Sequence, residues 1–283
     1  MGDLEIWHHT MDKQTRTATI LLNISKSDLE ASKHLLEGKR YCQSVFYLEQ
    51  SIEIALKSWA IWHGIMTEEE VIKLGHKAWK IYLIMNEKFF HDIAILEKYP
   101  ELKEYTSGDW LNKYREVSIK KEQEKELHQE LIERWKMSSS MKDLKQVLTT
   151  IQKIRDDWKT VEEAFMKGKD GEINAFMSKF SEGRIQGRNL PSDEELRAVM
   201  DEQINRIKRM FKLHYFDFYP ILSSLFIVFY PHVSRSRYKF GENNLSPLEY
   251  YTIGLPLVQL LDKFLMITQQ VLQGLQEFYL QMS

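Results

Sequence analysis

Cysteine is nearly absent: Cys42 is the only one in 283 residues, which excludes an intramolecular disulfide and a thiolate metal cluster and points to a reducing, cytoplasmic setting. Proline and glycine are scarce, at six and 12, while Leu, Glu, Lys, Gln and Ile are abundant, the composition of long helices with few turns. A charge excess of either sign is missing too. With 39 Lys+Arg against 41 Asp+Glu and a net charge of -2, no overall field draws the chain onto nucleic acid or an anionic membrane, so any basic site is local. There is no long hydrophobic run: the most apolar window, "FYPILSSLFIVFYPHV" from Phe218 to Val233, is shorter than the roughly 20 residues a membrane helix needs and is interrupted by Pro220 and Pro231. It reads as a buried core helix. The N-terminal "MGDLEIWHHTMDK" lacks the apolar core of a signal peptide. Phosphate-loop, HExxH, CxxC and GxSxG patterns are all missing. His8 and His9 point about 100° apart on a helix and have no specified carboxylate partner, so they read as a surface terminus, and no metal or cofactor is expected.

What remains is an all-α chain. A first helix is expected to start near Ser25 or Ser27, where Ser25 with Asp28 and Ser27 with Glu30 have capping-box spacing, and to stop at Gly38. From Tyr41 the positions Val45, Leu48, Ile52, Ala55, Leu56 and Trp59 recur at three- and four-residue steps and predict a second helix ending near Gly64, with Glu53 and Lys57 as an i,i+4 pair. The "GKRY" between them is the turn of an antiparallel hairpin. A third stripe through Leu257, Leu260, Leu261, Phe264, Val271, Leu272, Leu275 and Phe278 predicts a closing helix, and Trp59, Leu261 and Phe264 are expected in the core it shares with the hairpin.

The stretch "LLEGKRYCQSVFYLEQSIEIALKSWAIWHG", followed by "GHKAW" from Gly75 to Trp79 and later by Arg237 and Tyr238 in "SRSRYKFG", resembles the HEPN domain family, a nucleotide-binding domain of prokaryotes and higher eukaryotes. The resemblance implies an antiparallel helical bundle carrying an inserted helical arm or subdomain. Residues 1–99 would hold the N-terminal helices and first hairpin, 100–212 the insertion, and 213–283 the helices completing the bundle. The charged segments of 100–212, separated by "KMSSS" and a glycine-containing run, read as amphipathic helices, with the roles of lid, dimer arm or plain elaboration left open.

Catalytic members of the family place an Arg, four to six residues, and then a His beside the scissile phosphate. Arg209 and His214 have that spacing here. A guanidinium would hold the phosphate while an imidazole moves the 2′-hydroxyl or leaving-group proton, which would make the chain a metal-independent endoribonuclease of toxin or defence type. In the family motif a polar residue follows the arginine, whereas Met210 and Phe211 follow Arg209. The second constellation is basic and aromatic: His232, Arg235, Arg237, Tyr238 and Lys239 gather in one turn and suit phosphate gripping and base stacking, with His76, Lys39 and Arg40 as further contacts. The favoured expectation is therefore a non-catalytic nucleotide- or RNA-binding protein, against an endoribonuclease or a helical protein-interaction scaffold. The resemblance also implies a homodimer and a nucleotidyltransferase-like partner protein.

Overall fold

The computed structural model describes residues 2–75, 77–85, 124–167, 215–233, 235–236 and 245–282. Among these the regular elements are helices. Helix α1 spans Gly2–Glu37 and α2 spans Tyr41–Trp62; α3 is Glu68–Leu74, and α4 covers the helical residues 78–85. Then come α5, Glu124–Glu133, a 3-10 turn at Arg134–Ser139, and α6, Met141–Lys167. Helix α7, Tyr215–Phe229, runs into a 3-10 turn at Tyr230–His232. Two single-turn helices, Pro247–Tyr250 and Pro256–Gln259, lead to α8, Leu261–Met282.

α1 and α2 form the expected antiparallel hairpin. At its turn, the amides of Gly38, Lys39 and Arg40 bond back to the carbonyls of His34, Leu36 and Leu35, which satisfies the groups left open at the end of α1. Lys39, not Gly38, takes the left-handed position, with φ of 58°.

The start of the hairpin differs from the sequence expectation. α1 passes through Ser25 and Ser27 without interruption, because the Ser25 hydroxyl is wholly buried and bonds across the hairpin instead of capping its own helix. Ser25 Oγ donates to Ser51 O at 2.7 Å, Ser32 Oγ to Ser44 O at 2.7 Å and Ser58 Oγ to Ala18 O at 2.7 Å. Heptad steps along α1 meet heptad steps back along α2, and small side chains let the two backbones approach. Among the described residues, capping boxes form at Thr67 with Glu70 and at Ser246 with Glu249.

α8 lies antiparallel to α1, tied by Lys26 to Gln276 and Lys33 to Gln269. Against α2, Trp62 stacks on Tyr279 with centroids 4.0 Å apart, and the Ser58 and Tyr279 hydroxyls meet at 3.0 Å. Trp59, Leu261 and Phe264 are buried as expected. α7 packs on α2, α6 and α8, and its residues from Phe218 through Phe226 are all buried. Where α7 crosses α8, a Cβ on Gly274 would stand 2.6 Å from Phe218, so the absent side chain sets how closely these helices approach.

The middle of the chain supplies core as well. Leu144, Ile151 and Ile154 of α6 are buried, and "KMSSS" is no loose separator: most of it lies in the 3-10 turn, where Ser138 bonds the Tyr250 hydroxyl at 2.9 Å.

Candidate functional site

The sequence-derived site residues fall into three groups. Arg209, His214, Arg237, Tyr238, Lys239 and His76 lie outside the described residues. Lys39 and Arg40 are exposed on the hairpin turn, and Arg235 is half-buried in the turn after α7. A scaffold of polar bonds fixes this later turn. His232 Nδ1 and the Tyr251 hydroxyl are 2.6 Å apart, Ser236 Oγ donates to His232 O at 2.9 Å, and Tyr250 packs edge-on against Tyr251 at 4.9 Å.

His232 is therefore buried structure, 1% exposed, where the sequence suggested a ligand contact. Burial, reinforced by the Arg235 cation, pushes its imidazole down to about 3, since a second positive charge inside the fold is unfavourable. Burial lowers the Arg235 guanidinium and is opposed by Tyr250 and Tyr251. Tyr251 is raised by burial and by Tyr250, is lowered by Arg235, and lies within electrostatic reach of Cys42.

The 3-10 turn Tyr230–His232 before Arg235 and the single-turn helix Pro247–Tyr250 both pack on α2, in whose first turn Cys42 is separated from Arg40 by Tyr41 alone. The N-cap Arg40 makes no side-chain capping bond, so the first amides of α2 add positive potential at this end. At the other end of α2, Lys57 Nζ donates to Gly75 O at 2.8 Å, and Lys57 lies about 22 Å from Cys42 at the 1.5 Å rise per residue of a helix.

Sequence reasoning missed a polar cluster inside the bundle. Glu49 and Glu53 of α2 are both buried, and together with burial they raise the Tyr230 phenol. Tyr230 bonds His128 Nε2 at 2.9 Å, and the His128 ring stacks on Trp79 at 4.8 Å. Burial lowers the His128 imidazole. The signal available in sequence was two carboxylates on the face of α2 opposite its serines, but their partners there, α7 and the 3-10 turn carrying Tyr230, are distant along the chain.

Among the described residues, no group of three or more His, Cys, Asp or Glu is placed to hold a metal, and no helix is long and apolar enough to cross a membrane. No curated protein and no solved structure matches the sequence. A family match does exist over residues 18–155, from the first buried position of α1 through the hairpin, α3, α4 and α5 into α6, and it is to the HEPN domain. With its all-helical fold built on the serine-paired hairpin, the chain is a HEPN domain-containing protein, of a family with nucleotide- and RNA-related functions.

Proposed function

We propose that the protein binds a nucleotide or RNA without cleaving it, through the end of the bundle formed by Lys39, Arg40 and Arg235, with Arg237, Tyr238 and Lys239 following Arg235 in sequence. The observation that carries this reading is the Arg235 turn: a guanidinium half-withdrawn from water, beside two tyrosines, and following a 3-10 turn that packs on α2. A desolvated guanidinium binds phosphate more strongly than an exposed one, because the screening water is already partly removed. The half-buried Tyr250 ring offers a flat surface to a base. The reading stands on a single chain and requires neither a second copy nor a nucleotidyltransferase-like partner.

Anisotropy of a labelled RNA, read beside a thermal melt, tests it. Arg235→Ala is expected to weaken binding about tenfold or more, with a steep loss of wild-type affinity as salt is added. The same should hold for Arg237→Ala, with the melting temperature nearly unchanged. Unchanged affinity in both variants retires the reading. RNA cleavage by the wild type that disappears in Arg209→Ala or His214→Ala would replace it with the endoribonuclease.

A further inference from the structure

Helix α5 packs on the two 3-10 turns, Arg134–Ser139 and Tyr230–His232, and its half-buried His128 reaches two other parts of the fold at once. The imidazole lies on the Trp79 ring of α4, with centroids 4.8 Å apart and planes 25° from parallel, and its Nε2 is 2.9 Å from the Tyr230 hydroxyl. Trp79 and Tyr230 are themselves buried. Phe226 stacks on Tyr230 at 4.8 Å and on Tyr82 at 5.3 Å, so the surface that receives the imidazole is part of the core. Charged groups approach this contact from each side. Glu49 and Glu53 of α2 act on the Tyr230 phenol, Lys57 pairs with Glu53, and the Lys80 ammonium stands 5.2 Å from the Trp79 ring centroid. Arg134 and Lys136 belong to the 3-10 turn that continues α5, and His232 is buried two residues after Tyr230.

We propose that His128 is a proton-operated latch, which docks the amino-terminal turns of α5 on Trp79 and Tyr230 when neutral and lets them go when protonated. The device does not depend on what binds at the Arg235 end. Burial, with Glu49 and Glu53, raises the Tyr230 phenol, so it keeps its proton and donates it to the imidazole, which accepts at Nε2. An imidazolium has no lone pair with which to accept, loses water against two aromatic rings, and sets a second cation beside the indole that Lys80 already faces. The two carboxylates act the other way, and Lys57 offsets one of them. Burial prevails and holds the imidazole below its ordinary value. The docked ring therefore takes up a proton less readily than the released one, so docking is complete above about pH 6.5 and weakens as pH falls. Release is confined to the start of the helix: Leu131 is buried one turn on, and Ser138 is bonded to the Tyr250 hydroxyl. What it uncovers is the Trp79 indole and the Tyr230 hydroxyl, with Glu49 and Glu53 behind them.

The test is amide hydrogen exchange of the full chain between about pH 7.5 and 5, with each rate divided by that of an unstructured peptide at the same pH. Protection of α5 is expected to fall by up to about tenfold per pH unit below about 6.5. Amides of α2 and α8, which report the global unfolding in which His232 also takes part, should lose less. His128→Gln keeps an acceptor for the Tyr230 hydroxyl and does not titrate, so its α5 is expected to stay protected at the acid end. Tyr230→Phe removes the donor and is expected to leave α5 poorly protected already at neutral pH. Nuclear magnetic resonance of the wild-type imidazole gives a second measurement that stands whether or not the variants fold: Nε2 should accept a bond at neutral pH, and the ring should titrate below about 6.5. Protection of α5 that is constant with pH, or that falls equally in wild type and His128→Gln, overturns the proposal. So does an imidazole that titrates at or above its ordinary value with α5 still docked.

Discussion

The imidazole of His232 is enclosed on all sides, bonded at Nδ1 to Tyr251 and set against the Arg235 guanidinium. Its folded value of about 3 lies below the ordinary value near 6.5, so the folded chain keeps it neutral where the unfolded chain takes up a proton. The stability it contributes is full above about pH 6.5 and falls as pH drops towards 3, by about 1.4 kcal/mol per pH unit. Urea unfolding of wild type and His232→Gln between pH 7 and pH 4 isolates this, because Gln keeps a polar partner for Tyr251 and does not titrate. The wild-type advantage is expected to shrink with that slope, and an advantage independent of pH would show that His232 titrates in the fold as it does in the unfolded chain. From sequence, a histidine two residues before "SRSRY" reads as a ligand residue. Its burial depends on Tyr251, which a separate stretch of chain brings back to it.

At the scale of elements, apolar periodicity carried far. The Val45 to Trp59 stripe and the closing helix follow from three- and four-residue spacing, the hairpin's turn from the glycine at Gly38, and the core helix from the apolar run that begins at Phe218. What periodicity does not distinguish is a serine that caps a helix from one that joins two. Ser25 and Ser51 bond twice, Oγ to carbonyl at 2.7 Å and hydroxyl to hydroxyl at 3.1 Å, in a buried setting where a lone hydroxyl is costly. Ser25→Ala and Ser51→Ala are each expected to lower unfolding free energy by about 1 kcal/mol, and the double variant by less than their sum, with a coupling of about 0.5 kcal/mol or more. A denaturation cycle measures it, and strict additivity would mean that the serines serve only as small side chains. The same long-range dependence hid part of the candidate site. Lys39, Arg40 and Arg235 were legible as basic residues, but the packing on α2 of the segments around Arg235 and the separation of the Gly75 turn are properties of the fold.

For the whole molecule, the question is which parts of the chain make one folding unit. The family match ends at Arg155, within α6, yet the hairpin it covers is not closed there. Trp59 meets Phe218 of α7 at 6.1 Å and Phe278 of α8 at 6.0 Å, Trp62 stacks on Tyr279, and Ser58 shares its hydroxyl bond with Tyr279. Losing α7 and α8 uncovers the Trp59 and Trp62 rings on the side those helices occupy, while Ser58 keeps its bond to Ala18 O. Truncating one buried aromatic costs about 3 to 5 kcal/mol, so uncovering several exceeds the roughly 5 to 15 kcal/mol by which a domain is stable. A fragment of residues 1–167 is therefore expected to unfold in a broad, weakly cooperative transition and to bind a hydrophobic dye, while addition of a 213–283 fragment in trans restores a sharp melt. The opposing outcome is specific. If 1–167 melts as sharply as the full chain, the C-terminal helices are an appended layer, the hairpin closes on α4 to α6 alone, and the Arg235 turn belongs to a separate unit attached to the HEPN domain.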